Sequence, residues 1–144
     1  MKKALFALAA AAALAAGTYA VRAQENPSVV SAGNAFTAIQ PDMQGMVSQP
    51  IMHAPAGDLL AVYIGHAPKQ VYSKQDLVLY VISGHGTATV GYPSYDLAPG
   101  SVVSVPRNTA FEILARGTAP IKAILLASPS DNPSDKRLLD QQTQ

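Results

Sequence analysis

One stretch, residues 76–113, restricts the fold more than any other part of the chain. Its sequence is DLVLYVISGHGTATVGYPSYDLAPGSVVSVPRNTAFEI, in which short apolar segments alternate with Gly and Pro turns at nearly regular spacing. Short segments rich in Val, Ile and Tyr and bounded by such turns are typical of β-strands. The spacing leaves hardly any room for helix, so the stretch predicts an all-β fold, a small antiparallel barrel or a sandwich.

Three details of this stretch predict local structure. Residues 77–82 are a run of six apolar residues, which predicts a strand covered on both faces. Pro99 and Gly100 predict a turn, because Pro fixes φ and Gly accepts positive φ. Pro106 has no N–H to donate, so it predicts the end of a strand over residues 101–105.

The remaining chain divides into an arm, a barrel and a tail. We predict an N-terminal arm at 24–45, a barrel at 46–128 and a flexible tail at 129–144, where Ser134 could cap a short helix over 135–142. Residues 36–39 are predicted as a short first strand, and residues 66–74 as the least regular part of the barrel. Further strands are predicted over residues 46–53, 58–65, 87–90, 95–97, 110–114 and 121–127.

Residues 1–23, MKKALFALAAAAALAAGTYAVRA, have the layout of a secretory signal peptide. Two lysines precede an apolar run and a small-residue cleavage site, which predicts a mature start at Gln24, with cleavage after Ala20 as the alternative. A retained membrane anchor is a further alternative, but the apolar run is shorter than the roughly 20 residues that a membrane span needs. We therefore expect a periplasmic or secreted protein without membrane contact after cleavage.

Charge and cysteine content exclude several classes of function. Removing Lys2, Lys3 and Arg22 with the signal lowers the basic residues from ten to seven against nine acidic ones, and the net charge from +1 to −2. Such a domain has no basic stripe for phosphates, so nucleic acid is not an expected partner. The chain has no cysteine, which excludes disulfides, a thiol nucleophile, a thiolate metal site and a lipoprotein anchor.

Two segments resemble the motifs of the cupin family. YVISGHGTATVG, residues 80–91, is similar to the first cupin motif after its glutamate, and LAPGSVVSVP, residues 97–106, resembles the start of the second motif. The similarity covers roughly residues 59–127. It implies a cupin-type antiparallel β-barrel, a double-stranded β-helix or jelly roll, with another small β-sandwich as the alternative.

The resemblance also implies that the metal ligands of cupins are missing. Counting back from Gly84, the carboxylate position falls on Leu77, with Asp76 one residue away. The two histidine positions fall at about Gln70 and Tyr72, and the third, counted from Pro106, falls on Phe111. Leu and Phe offer no lone pair to a metal, so no cofactor is expected. A rearranged site using Asp76 with His53, His66 and His85 is the alternative.

The histidines and carboxylates give no firm catalytic site. No two histidines have the i, i+2 spacing of a strand or the i, i+4 spacing of a helix that a paired metal site uses. Metal-free cupin isomerases and epimerases suggest an acid and base pair, for which His66 with Tyr72 or Asp76 is the local candidate. Glu112 is expected to face away from Phe111, as a solvated or interface charge. We lean against an enzyme.

The apolar replacements suggest a binding protein. If Leu77, Leu79 and Phe111 line the interior with Gln70, Tyr72, Asp76 and His66 towards its mouth, a small apolar ligand could bind there. The alternative is a barrel filled by its own side chains. Val78, Tyr80 and Ile82 lie on the opposite face, where we expect a second copy to form a homodimer. An interaction subunit of a larger periplasmic assembly is the rival hypothesis, and it predicts a filled barrel with apolar residues exposed outside.

Overall fold

The computed structural model describes residues 28–130 and 136–139, so the predicted signal peptide lies outside the described residues. Within the described residues, no helix is long and apolar enough to cross a membrane. The helix α1 spans Ala32–Thr37, and the strands are β1 (Met46–Ala54), β2 (Gly57–Ile64), β3 (His66–Tyr72), β4 (Asp76–Ser83), β5 (His85–Val90), β6 (Ser94–Leu97), β7 (Val102–Val105), β8 (Phe111–Arg116), β9 (Ile121–Ser128) and β10 (Lys136–Leu138).

The strands form two five-stranded sheets that pack face to face. Sheet A has the order β1-β2-β9-β4-β7, and sheet B has the order β10-β3-β8-β5-β6. All neighbouring strands pair in the antiparallel direction. The prediction of an all-β antiparallel barrel is confirmed.

Strand β4 directs alternate residues into the barrel and out of it. Leu77, Leu79 and Val81 are buried in the core between the sheets. Val78, Tyr80 and Ile82 point outward and are 37%, 49% and 36% exposed. The prediction of a strand covered on both faces is therefore wrong for the single chain, because α1 covers a different part of sheet A.

Residues 36–39 do not form the predicted strand, because they belong to or follow helix α1. Phe36 is buried, and its ring meets that of Tyr63 edge-on with centroids 5.5 Å apart. The Lys122 ammonium lies 4.5 Å from the centroid of the Phe36 ring. These contacts fix α1 on the outer face of sheet A, over β2 and β9, where burial of Phe36 outweighs the poor helix-forming sequence AGNAFT.

The segment predicted as the least regular part of the barrel is strand β3. It pairs with β8, and the register shifts between Ala67 and Gln70. The irregularity falls at Pro68, which cannot donate to the ladder, and a bulge is where a sheet accepts a proline. Val71 and Tyr72 are buried, so the strand contributes to the core despite its polar sequence.

Part of the predicted flexible tail is strand β10, which pairs with β3 through Lys136↔Tyr72 and Leu138↔Gln70. A short helix over 135–142 is therefore wrong for the described residues 136–139. Residues 131–135 and 140–144 lie outside the described residues. The pairing adds an edge strand to sheet B beside the Gln70 position.

The predicted turns lie where the sequence places them. Gly100 has a φ of +90°, as the Pro99–Gly100 turn requires. Strand β7 ends at Val105, directly before Pro106. The core between the sheets is built from aliphatic side chains of β2, β4, β7 and β9 facing Tyr72, Ala88, Leu97, Phe111 and Ile113 of sheet B.

Candidate functional site

The barrel interior is filled by its own side chains. Tyr72 of β3 and Phe111 of β8 stack with ring centroids 6.1 Å apart and planes 16° apart, and both are buried. Leu77 and Leu79 of β4 pack against them and are 4% exposed each. The cavity that remains among these side chains measures about 20 Å³. That space is near the minimum for one water molecule and far below that of an organic ligand.

This packing favours the alternative of a barrel filled by its own side chains over a small apolar ligand inside it. Of the predicted ligand-binding residues, the structure brings Tyr72, Leu77, Leu79 and Phe111 around the same small cavity. Gln70 lies opposite Phe111 in the strand register and is also buried. The counting from Gly84 and Pro106 thus leads to positions that meet in the interior, although their role in binding stays a prediction.

Gln70 introduces a polar group into this interior. It is 1% exposed, and neither its Nε2 nor its Oε1 has a hydrogen-bond partner among the described residues. An unsatisfied buried amide costs about 1–3 kcal/mol. Gln75, equally buried, donates its Nε2 to the carbonyl oxygens of Pro129 and Ser130.

The difference between the two glutamines gives a stability prediction. Gln70→Leu removes an unsatisfied amide and is expected to raise the free energy of unfolding by about 1 kcal/mol. Gln75→Leu removes the donor to the carbonyl oxygens of Pro129 and Ser130 and is expected to lower it by about 1 kcal/mol. Urea denaturation of both variants followed by circular dichroism measures the two changes, and an equal loss in both would contradict the assignment.

The residues at the cupin ligand positions do not fit a transition metal. Gln70, Tyr72, Leu77 and Phe111 provide no imidazole and no carboxylate, which such an ion requires there. Within the described residues, no group of three or more His, Cys, Asp or Glu side chains is placed to hold a metal ion. The alternative site built from Asp76 and three histidines is not assembled.

Each histidine has a separate environment. His53 Nδ1 lies 2.8 Å from Asp58 Oδ1, near the hairpin between β1 and β2. His66 Nε2 lies 3.1 Å from Glu112 Oε1, with both side chains about 40% exposed. His85 is exposed at the start of β5, opposite Arg116. The pairing of His66 with Glu112 agrees with the expected outward orientation of Glu112.

The candidate acid and base pair is not assembled either. His66 and Tyr72 occupy the two ends of β3, which places their backbones about 20 Å apart at the usual rise of about 3.3 Å per residue. Asp76 is bound by Arg107, whose backbone N–H and Nη2 donate to it at 2.8 Å each. His66 therefore cannot act on one substrate atom together with Tyr72.

Arg107 controls the ionisation of Asp76. The side-chain hydrogen bonds from Arg107, with help from its backbone N–H and its charge, lower the pKa of Asp76 from 3.8 to about 2. A lowered folded-state pKa means that the carboxylate stabilises the fold above the unfolded value of 3.8, and that this contribution is lost as the pH falls towards 2.

This linkage predicts a specific pH dependence. The stability difference between the wild type and Asp76→Asn is expected to stay constant above about pH 5 and to shrink between about pH 4 and pH 2. Urea midpoints measured across this range test it. Arg107→Met should produce a pH dependence of the same sign but smaller size, because the backbone N–H of residue 107 still donates to Asp76; a difference that does not change with pH would contradict the assignment.

A second and larger cavity, missed by the sequence analysis, lies between the edge strands β6 and β7. We call it the edge groove, and its volume is about 470 Å³. Nothing in the sequence marks it, because it depends on which strands end each sheet. It is lined by Ala88, Val90, Tyr95, Asp96, Leu97, Ser101, Val102, Val103 and Ser104.

An apolar surface lies on the outside of sheet A. We call it the β4 patch, and it consists of Val78, Tyr80, Ile82 and Val102, each at least one-third exposed. Tyr80 is paired in register with Val102 on one side and Ile124 on the other, and Val78 with Ser104 and Leu126. The four side chains are uncharged, and adjoining exposed apolar residues of this kind are typical of interaction surfaces.

The two antiparallel sheets and their strand order define a cupin fold, as the sequence motifs implied. Pac13 from Streptomyces, described as a nucleoside dehydratase, matches with a TM-score of 0.62 and 14% identity over 79% of this chain and 92% of Pac13. KdgF from Halomonas matches with a TM-score of 0.63 and 17% identity over 76% of this chain and 98% of KdgF. The cupin domain of Cnp3 from Schizosaccharomyces pombe matches with a TM-score of 0.57 and 13% identity over 65% of this chain and 71% of that domain.

These likenesses concern the fold. No protein-family model matches the sequence, and no curated protein matches it significantly. The resemblance to cupins is confirmed at the level of the fold, and function has to be argued from the site.

Proposed function

We propose that the chain is an exported cupin-fold binding protein that works without a metal and makes its interactions through outer surfaces of the barrel. The observation that carries this proposal is the packing of Tyr72 against Phe111, which leaves about 20 Å³ where a cupin site would lie. The signal-like pattern of residues 1–23 supports export to the periplasm or the medium.

The catalytic alternative is a metal-independent isomerase or epimerase. Its support is that fold neighbours include an enzyme, Pac13, whose structures with uridine are known. Against it, catalysis requires space beside the acid and base, and the interior has none. His66, its local candidate base, is paired with Glu112 at the far end of β3 from Tyr72.

The β4 patch is the surface that best fits a protein partner, and we assign it to a second copy of the chain. A two-fold interface brings the same surface of each copy together. An uncharged patch can meet its own copy without repulsion between like charges, and Tyr80 at its centre is the type of residue that dominates interface energies. A different periplasmic protein on the same patch is the alternative, consistent with a filled barrel and exposed apolar residues.

Native mass spectrometry of the mature protein purified from the periplasm, compared with its denatured mass, tests the proposal. The expected result is a dimer without metal, in which the subunit mass corresponds to a chain that starts at Gln24. A stoichiometric transition-metal adduct would overturn the metal-free assignment and favour an enzyme. A metal-free monomer at concentrations near 100 µM, where a weak specific dimer would still assemble, would remove the second copy and direct attention to another protein partner.

A further inference from the structure

The edge groove is a formed cavity outside the barrel interior. Strand β6 ends sheet B and strand β7 ends sheet A, and the space between them opens to solvent. Its volume of about 470 Å³ lies within the range of about 300–1,000 Å³ that is typical of small-molecule sites. Val103 borders both this groove and the small interior cavity, so a single layer of side chains separates the two.

The floor of the groove is apolar. Val90 and Leu97 come from sheet B, and Val103 faces them from sheet A. Leu97 and Val103 are also part of the core and are 4% and 8% exposed. Their positions are therefore fixed by packing, and the more accessible Val90 and Val102 beside them provide the apolar surface against which a flat ring can lie.

The rim of the groove is polar but carries no free positive charge. Tyr95, 55% exposed, and Ser101 provide an aromatic ring and hydroxyl groups. Asp96 is the charged residue among those lining the groove, and its carboxylate is bound by Arg116. Each edge strand also has one side without a neighbouring strand in its sheet, where backbone N–H and C=O groups alternate.

From these features we infer that the edge groove binds an uncharged small molecule that joins a flat apolar ring to several hydroxyl groups. The ring contacts the apolar floor and Tyr95, and the hydroxyl groups exchange hydrogen bonds with the strand edges and Ser101. An anionic ligand is disfavoured because, among the described residues, the groove lining includes the carboxylate of Asp96 but no Lys or Arg. Val102 belongs both to the groove lining and to the β4 patch, so the groove adjoins the surface proposed for a second copy, but the inference does not require that copy.

Phenyl β-D-glucopyranoside is a soluble probe of this class, and its binding can be followed by ¹⁵N–¹H NMR titration. We expect saturable shifts at residues 88–90, 95–97 and 101–104, with a dissociation constant below about 1 mM. Phenyl phosphate, with the same ring and a negative charge, should bind at least about fivefold more weakly. Absence of saturation, or shifts centred on Tyr72 and Phe111, would overturn the inference.

Two pairs of variants locate the site. Val90→Trp enlarges a partly buried side chain that lines the groove, whereas Thr89→Trp places the same side chain on the opposite face of β5. Val90→Trp is expected to weaken binding at least about tenfold, and Thr89→Trp less than about twofold. Equal effects of the two would contradict the assignment.

The second pair of variants tests the site even if Val90→Trp fails to fold. Tyr95→Ala removes the exposed ring at the rim and is expected to weaken binding about fivefold or more. Tyr92→Ala removes a fully exposed ring in the preceding turn and should change nothing. Unchanged probe affinity in Tyr95→Ala would contradict a role for the Tyr95 ring. As a further control, Tyr80→Lys, which places a charge on the β4 patch, should leave probe binding intact.

Discussion

Phe111→Ala is expected to lower the free energy of unfolding by about 3–5 kcal/mol, the usual range for removing a buried phenylalanine ring. Phe111 is 6% exposed, stacks on Tyr72 and borders the small interior cavity. The surrounding side chains come from strands held in both sheets, so they cannot collapse fully into the space that the ring leaves. The result is a cavity inside the barrel and the loss of the ring contacts.

Urea denaturation followed by circular dichroism measures this loss. Leu114→Ala provides the matched control, because Leu114 lies on the same strand but is 47% exposed, and its truncation should cost less than about 1 kcal/mol. A loss below about 1 kcal/mol in Phe111→Ala would show that the ring does not fill the interior.

Tyr80→Lys is expected to weaken self-association about 30-fold or more, which corresponds to about 2 kcal/mol, the threshold for an interface hot spot. Tyr80 is 49% exposed at the centre of the β4 patch, between Val102 and Ile124. In a two-fold dimer the substitution introduces two ammonium groups into one apolar interface, where like charges repel and lose hydration. Sedimentation equilibrium of the wild type and the variant measures the change.

The control is Tyr92→Lys, which introduces the same charge at a fully exposed position in the turn after β5. It should leave the association constant unchanged. If Tyr80→Lys and Tyr92→Lys form equally stable dimers, the second copy does not sit on the β4 patch. If the wild type is monomeric at about 100 µM, the patch belongs to another partner.

The sequence predicted the strands whose apolar runs and turn residues agree. Residues 77–82 and the Pro99–Gly100 turn are such cases, because β propensity and turn chemistry are local properties. Helix α1 could not be predicted, since it has only six residues and its sequence AGNAFT contains Gly, Asn and Thr, which have low helix propensity. What holds α1 is contact between Phe36 and Tyr63, which only the folded sheet brings together.

Strands β3 and β10 have polar sequences, and they too could not be predicted from local sequence alone. Pro68 argues against a regular strand, but a bulge between Ala67 and Gln70 accommodates it. The tail segment Lys136–Leu138 has no apolar pattern and becomes a strand through pairing with β3. Pairing with other strands determines the conformation of both segments, and their local sequence does not reveal that pairing.

The candidate site was predictable in part. Counting from Gly84 and Pro106 led to Tyr72, Leu77 and Phe111, which meet around one small cavity. Whether that interior is open or filled depends on side-chain packing, which the sequence left undecided. The edge groove was not predictable, because Tyr95 and Val103 come together only through the positions of β6 and β7 at the ends of different sheets.

A filled interior also gives a physical reason for the unusual residues at the ligand positions. The chain has no cysteine and therefore no disulfide with which to restrain the unfolded state. Leucine and phenylalanine at these positions bury apolar surface that an open metal site would leave hydrated. This burial favours a stable scaffold.

The most direct measurement is a calorimetric titration of the wild type and of Phe111→His with Zn²⁺ and Mn²⁺. The filled interior and the residues at the ligand positions predict no tight stoichiometric binding by either protein, since one imidazole cannot replace a whole ligand set. Tight one-to-one binding by the wild type would contradict the account. Tight binding by Phe111→His would also contradict it if the NMR resonances of Tyr72 and Leu77 change on addition of the metal.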